Sequence, residues 1–102
     1  MKEYLRTAKR IGIFEISREF IHDQNEELVE MFFALHIVVI RAEMLYWKDC
    51  IQYVALSPEF DLCEPQAEPP FYEIITHRKF IPVGDEIEKE TTYEVRKINT
   101  NA

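Results

Sequence analysis

Two runs of strand-forming residues, separated by only three residues, constrain this chain more than any other feature. The first, Leu35 to Tyr46, is dense in β-branched side chains; the second, Cys50 to Ser57, alternates Ile51, Tyr53 and Ala55 with Gln52, Val54 and Leu56. Trp47, Lys48 and Asp49 are all that joins them. A parallel pair needs a crossover of a dozen or more residues, so this spacing predicts an antiparallel hairpin. A hairpin is marginal alone and calls for further strands or a helix against one face.

The rest of the chain offers both. Asn25 is placed to cap a helix, with Glu26 and Glu27 in the first turn, where the helix dipole favours anions. Leu28, Val29, Phe32 and Phe33 then read as its apolar stripe, which predicts a helix from Asn25 to Ala34. Upstream, Lys2, Arg6, Lys9 and Arg10 share one side of a potential short helix, with Tyr4, Leu5, Ala8 and Ile11 on another. Ile11 to Ile16 fits a short strand or a helical lead-in, and Ser17 fits an N-cap. Downstream, Phe71 to His77 reads as a strand that extends as far as Ile81, Val83-Gly84-Asp85 as a turn, Glu86 to Glu90 as a charged tip, and Thr91 to Ile98 as a last strand. Residues 99–102 are expected to fray.

Between hairpin and third strand, residues 58–70 hold four prolines and four carboxylates, which deny the segment a helix or a central strand. A long loop of this kind is often functional. Phe60 and Leu62 are expected to pin it to the body. The elements together predict one α+β domain over residues 1–102: a four-stranded, mainly antiparallel sheet in meander order, packed by one main helix, with a short N-terminal helix. A partly closed β-barrel with a helix is the alternative.

Composition limits the functions. At 102 residues, with seven Phe, five Tyr and one Trp, the chain can build its own core without disulfides or metal. Only Gly12 and Gly84 are glycine, so no Rossmann or Walker phosphate loop is present. Residues 1–20 carry five cations against three carboxylates, a net +2, whereas residues 21–102 carry seven against sixteen, a net −9. Phosphate backbones are met by cations, so nucleic acid is a poor partner and a protein with a basic surface a better one. Charges interrupt every apolar stretch after Met1, and no run is long enough to span a bilayer; a cytoplasmic protein with Cys50 and Cys63 as free thiols is expected, and no membrane partner.

Few residues point to catalysis. His22, His36 and His77 lack metal-ligand spacing, and no cofactor or metal site is expected. A site built from His36, His77, Cys50 and Glu43 would need all four to converge across the sheet. Glu43 sits inside an apolar strand two residues from Arg41, so the pair shares a face and is expected to be exposed. The function expected is that of a non-enzymatic protein-interaction module, an inhibitor or regulator of a partner protein. Its binding surface is expected to combine Tyr46, Trp47 and Asp49 at the hairpin tip, Glu59, Phe60, Asp61, Glu64 and Glu68 in the proline-rich loop, Phe71 and Tyr72 after it, and Glu86, Glu88 and Glu90. Phosphate mimicry by these carboxylates is a sharper variant. The alternatives are a small metal- or thiol-dependent enzyme, and a homo-oligomer (a homodimer in its simplest form) that pairs through the last strand.

Overall fold

The computed structural model describes residues 8–98. In chain order it contains β1 (Lys9–Ser17), α1 (Arg18–Asp23), α2 (Asn25–Ala34), β2 (Val38–Leu45), β3 (Cys50–Leu56), β4 (Leu62–Cys63), β5 (Tyr72–Val83) and β6 (Glu86–Lys97). A four-stranded antiparallel sheet runs in the order β2-β3-β1-β4, and β5 and β6 form a separate two-stranded ribbon. The sheet is open, so the barrel alternative is not the fold, and the meander is replaced by an order with β1 inserted between β3 and β4.

β1 resolves the ambiguity at Ile11 to Ile16 in favour of a strand. It pairs with β3 over seven residues, from Ile11↔Leu56 to Ser17↔Cys50. Gly12, Phe14 and Ile16 alternate inward and are buried, as a period of two requires. The expected N-terminal helix falls mostly outside the described residues, and at its end Lys9 and Arg10 are strand, paired with Cys63 and Leu62. The proline-rich segment therefore contributes a two-residue edge strand.

Ser17 ends β1 and starts α1: its backbone stays extended and its Oγ accepts the Phe20 N–H at 3.1 Å. Gln24 breaks the helical path, and it, not Asn25, is the N-cap of α2. The inward stripe of α2 is Leu28, Met31 and Phe32, continued by Leu35, at the expected three- and four-residue spacing. Val29 and Phe33, read from sequence as part of that stripe, face outward and are exposed. His36 adopts a left-handed φ of 51° and closes the helix, while the Ile37 N–H reaches back to the Phe32 carbonyl at 2.9 Å. β2 consequently begins at Val38, three residues later than the apolar run suggests.

The core is a chain of aromatic rings. Phe14 stacks on Tyr53 with centroids 5.2 Å apart, and Phe32 of α2 meets both edge-on at 5.9 and 5.4 Å. Phe14 also touches Phe60, which stacks on Tyr72 at 4.6 Å. Each such pair adds about 0.5–1.5 kcal/mol beyond area burial. Phe60 thus carries the loop into the core and Tyr72 carries the ribbon root into it. Leu62, the other expected pin, is exposed.

The ribbon is a regular ladder of twelve pairs, from Tyr72↔Lys97 to Val83↔Glu86. Gly84 takes φ 63° at the first central position of a two-residue turn, the type II′ pattern that suits a twisted hairpin. Glu86 to Glu90 is therefore strand throughout and no charged loop. Partners share a face, so Tyr72, Ile74, Thr76, Arg78, Phe80 and Pro82 line one side with Lys97, Val95, Tyr93, Thr91, Lys89 and Ile87. Ile74, Tyr93 and Val95 pack on the core. Midway, Arg78 pairs with Glu27 of α2, whose side chain is only 12% exposed. Every residue from His77 to Glu90 is exposed. The molecule is elongated, with extents of 58 × 31 × 31 Å. Among the described residues, no helix is long and apolar enough to cross a membrane.

Candidate interaction surface

The residues expected to form one surface occupy three separate places. The β2–β3 turn, Tyr46 to Asp49, projects from the Cys50 end of β3, whereas the proline-rich loop leaves from the Leu56 end. Six residues of extended chain separate these ends by about 20 Å. The ribbon tip stands eleven rungs, about 37 Å, from the ribbon's own root.

At the turn, Tyr46 and Trp47 are 85% and 77% exposed, so they do not close the end of the core. Asp49 adopts φ 51° and is bound internally. Its carbonyl accepts the Arg18 N–H at 3.0 Å, and its carboxylate accepts from Arg18 Nε at 2.6 Å. Asp49 in turn raises the Arg18 pKa, through the hydrogen bond first and its charge second. The turn therefore offers two bare aromatic rings and little free negative charge. Beside it, Lys48 donates to Glu15 at 3.3 Å, and both line a cleft of about 480 Å³ with Phe71, Tyr72, Glu73 and Ile98.

The proline-rich loop divides. Glu59, Glu64 and Glu68 are exposed. Phe60 is 0% exposed and Tyr72 is buried, so neither belongs to a surface; both are corrected to core. Asp61 sits between them at the ribbon root: its N–H donates to the Tyr72 hydroxyl at 2.9 Å and its carboxylate accepts from Lys97 at 3.3 Å. Ser57, buried at the loop's start, donates through Oγ to the Leu35 carbonyl at 2.6 Å and accepts the Glu59 N–H at 3.1 Å.

On the distal ribbon Glu86, Glu88 and Glu90 are exposed along one face, opposite Val83, Ile81 and Lys79. The unexpected members are apolar. Phe80 is 67% exposed and Ile87 72%, and both lie on the face that nearer the root packs on the body. Ile81 and Val83 are exposed on the other face. From sequence, Phe80 and Ile81 read as the end of a strand, Val83 as part of a turn and Ile87 as part of a charged tip, so none of the four stands out as surface. The period of two from Glu86 to Lys89, continuous with Thr91 to Ile98, was the signal available. A second apolar surface is β2, whose residues Val38 to Met44 are all exposed.

The residues weighed for chemistry do not meet. His36 lies in the α2–β2 bend, and His77 pairs with Glu94 at 3.3 Å on the ribbon. Glu43 forms the expected exposed pair with Arg41 at 3.3 Å. Cys50 is buried at the start of β3, which pushes its thiol pKa up, with the Glu15 charge adding to the effect. Cys50 and Cys63 are both free thiols. Among the described residues no three His, Cys, Asp or Glu side chains are grouped to hold a metal.

Comparison with protein-family models, curated proteins and solved structures returns no match.

Proposed function

We propose that the chain is a non-enzymatic protein-interaction module whose principal binding element is the distal β5–β6 ribbon. One observation carries this reading: Phe80 and Ile87 continue the core-facing stripe of the ribbon past the point where the body ends. Large apolar side chains held on a regular, protruding ladder cost solvation free energy that burial against a partner recovers, at about 25 cal/mol per Å². Around them, residues 79–90 carry Lys79 and Lys89 against Asp85, Glu86, Glu88 and Glu90, a net −2. The partner that fits is a protein with an apolar groove edged by basic side chains. Trp47 and Tyr46, exposed on the β2–β3 turn, supply a second, smaller contact. A module that fills a groove acts by occupancy, in the manner of an inhibitor or regulator.

The test compares proteins retained from a source-cell lysate by the wild type and by the F80S/I87S variant. Both side chains are exposed, so the melting temperature of the variant should match the wild type. The expected result is a protein retained by the wild type and depleted at least tenfold with F80S/I87S, more strongly held at low than at high ionic strength. Identical retention by the two would overturn the proposal.

A further inference from the structure

We infer that β2 is a self-pairing edge, through which two copies of this chain join their sheets about a two-fold axis at Ala42. The inference is independent of the ribbon's role.

β2 pairs with β3 on one side only, and among the described residues no strand lies on its other side. Monomeric proteins guard such an edge with lysine, proline, inward charges or bulges. β2 contains neither Lys nor Pro, and both of its faces are exposed from Val38 to Met44. Its one irregularity, between Val39 and Arg41, disturbs the start of the strand and leaves Arg41 to Leu45 in regular register with β3.

The order of charges in that regular stretch selects the partner. Arg41 and Glu43 are two residues apart, hence on one face, and flank Ala42. In an antiparallel pair centred on Ala42, residue 41 of each copy stands opposite residue 43 of the other. Each Arg41 then faces a Glu43, twice, by symmetry. Directly opposite unlike charges stabilise a strand pair and like charges oppose it. Shifting the axis by one residue either way puts Arg41 opposite Arg41, or Glu43 opposite Glu43. The same two-fold brings Met44 against the Ile40 region, so exposed apolar side chains meet on both flanks. The strand is thus self-complementary, as an isologous interface requires. In the single chain Arg41 donates to Glu43 along the strand at 3.3 Å.

β6 is a competing edge. Two-fold axes at Glu88 or Lys89 set glutamate opposite glutamate, which opposes pairing there. Glu94 and Arg96 repeat the Arg41–Glu43 spacing, yet Arg96 already lies between Glu94 and Glu73 of β5, at 3.2 and 3.8 Å.

Sedimentation equilibrium from about 1 to 500 µM tests the inference with the full chain. The wild type should show a monomer–dimer equilibrium. R41E and E43R should each weaken it at least tenfold, the R41E/E43R double variant should restore it, and R96E should leave it unchanged. Far-UV circular dichroism monitors folding, and the restored double variant separates lost pairing from misfolding. A wild type monomeric throughout, a dimer indifferent to R41E and E43R, or one broken by R96E instead would each overturn the assignment to β2.

Discussion

Replacing Gly12 with Ala should destabilise the fold, although it adds only one methyl group. Gly12 lies in β1, one of the two inner strands, and a Cβ there would stand 2.6 Å from Cδ2 and Cε2 of Tyr72 and 3.1 Å from Cδ2 of Phe60. Carbon atoms rest at about 3.5–4.0 Å, so the Tyr72 ring has to retreat by about 1 Å. Overpacking of that kind costs roughly 1–3 kcal/mol. Movement also loosens the Phe60–Tyr72 stack at 4.6 Å, a pair worth about 0.5–1.5 kcal/mol, and the bond from the Asp61 N–H to the Tyr72 hydroxyl, worth a similar amount. Removing a strand glycine returns about 0.5–1 kcal/mol. The net destabilisation is roughly 2–4 kcal/mol, a large share of the 5–15 kcal/mol typical of a small domain. Urea unfolding followed by far-UV circular dichroism measures it; fluorescence of the single tryptophan is a poor probe because Trp47 is exposed. The midpoint should fall at unchanged slope. Y72L opens space at the collision, so the double-mutant cycle with G12A should show a coupling of at least about 1 kcal/mol. A neutral or stabilising G12A would refute the close approach of ribbon root to sheet.

Two further outcomes follow from buried charge and burial. Arg78→Ala should destabilise by about 1–3 kcal/mol, because it leaves the carboxylate of Glu27, 12% exposed, without its partner at the middle of the ribbon; a loss below about 0.5 kcal/mol in urea unfolding would contradict that role. Stability should also fall in alkali. Burial raises the pKa values of Cys50, Tyr53 and Tyr93, for Tyr93 with added repulsion from Glu27 and Glu30. A raised folded-state pKa favours the folded chain below the ordinary value and loses that contribution as pH climbs through the folded value. The decline should begin near the ordinary thiol value of 9.0 and steepen past the ordinary tyrosine value of 10.0. Unfolding midpoints measured from pH 7 to 11 should show it, and C50S and Y93F should each flatten it; a flat profile in the wild type would contradict the burial of these groups.

Sequence reading succeeded where the signal is local. The short connection from Tyr46 to Cys50 dictated the β2–β3 hairpin, the spacing of Leu28 and Phe32 with Glu26 and Glu27 before them marked α2, Ser17 marked a cap, and Gly84 marked a turn. It failed where partners are distant in the chain. Nothing near Ile11 to Ile16 says that the strand inserts between β3 and β4, because its pairing energy comes from residues about 33 to 54 positions away. Phe60 was read as both pin and surface residue, since proline and carboxylate neighbours hide the ring pocket formed by Phe14 and Tyr72. The distal ribbon was misread for the opposite reason: without a body beneath it, its inward face keeps only Phe80, Pro82 and Ile87, too sparse to stand out.

Small-angle X-ray scattering on dilute protein, with R41E in parallel to exclude self-pairing, addresses the protruding ribbon directly. A compact chain of this length has a radius of gyration of about 13 Å. An extended ribbon predicts a value near 16.2 Å and a longest dimension near 58 Å. A value near 13 Å would mean that Phe80 and Ile87 are folded against the body, and the binding element proposed here would not exist.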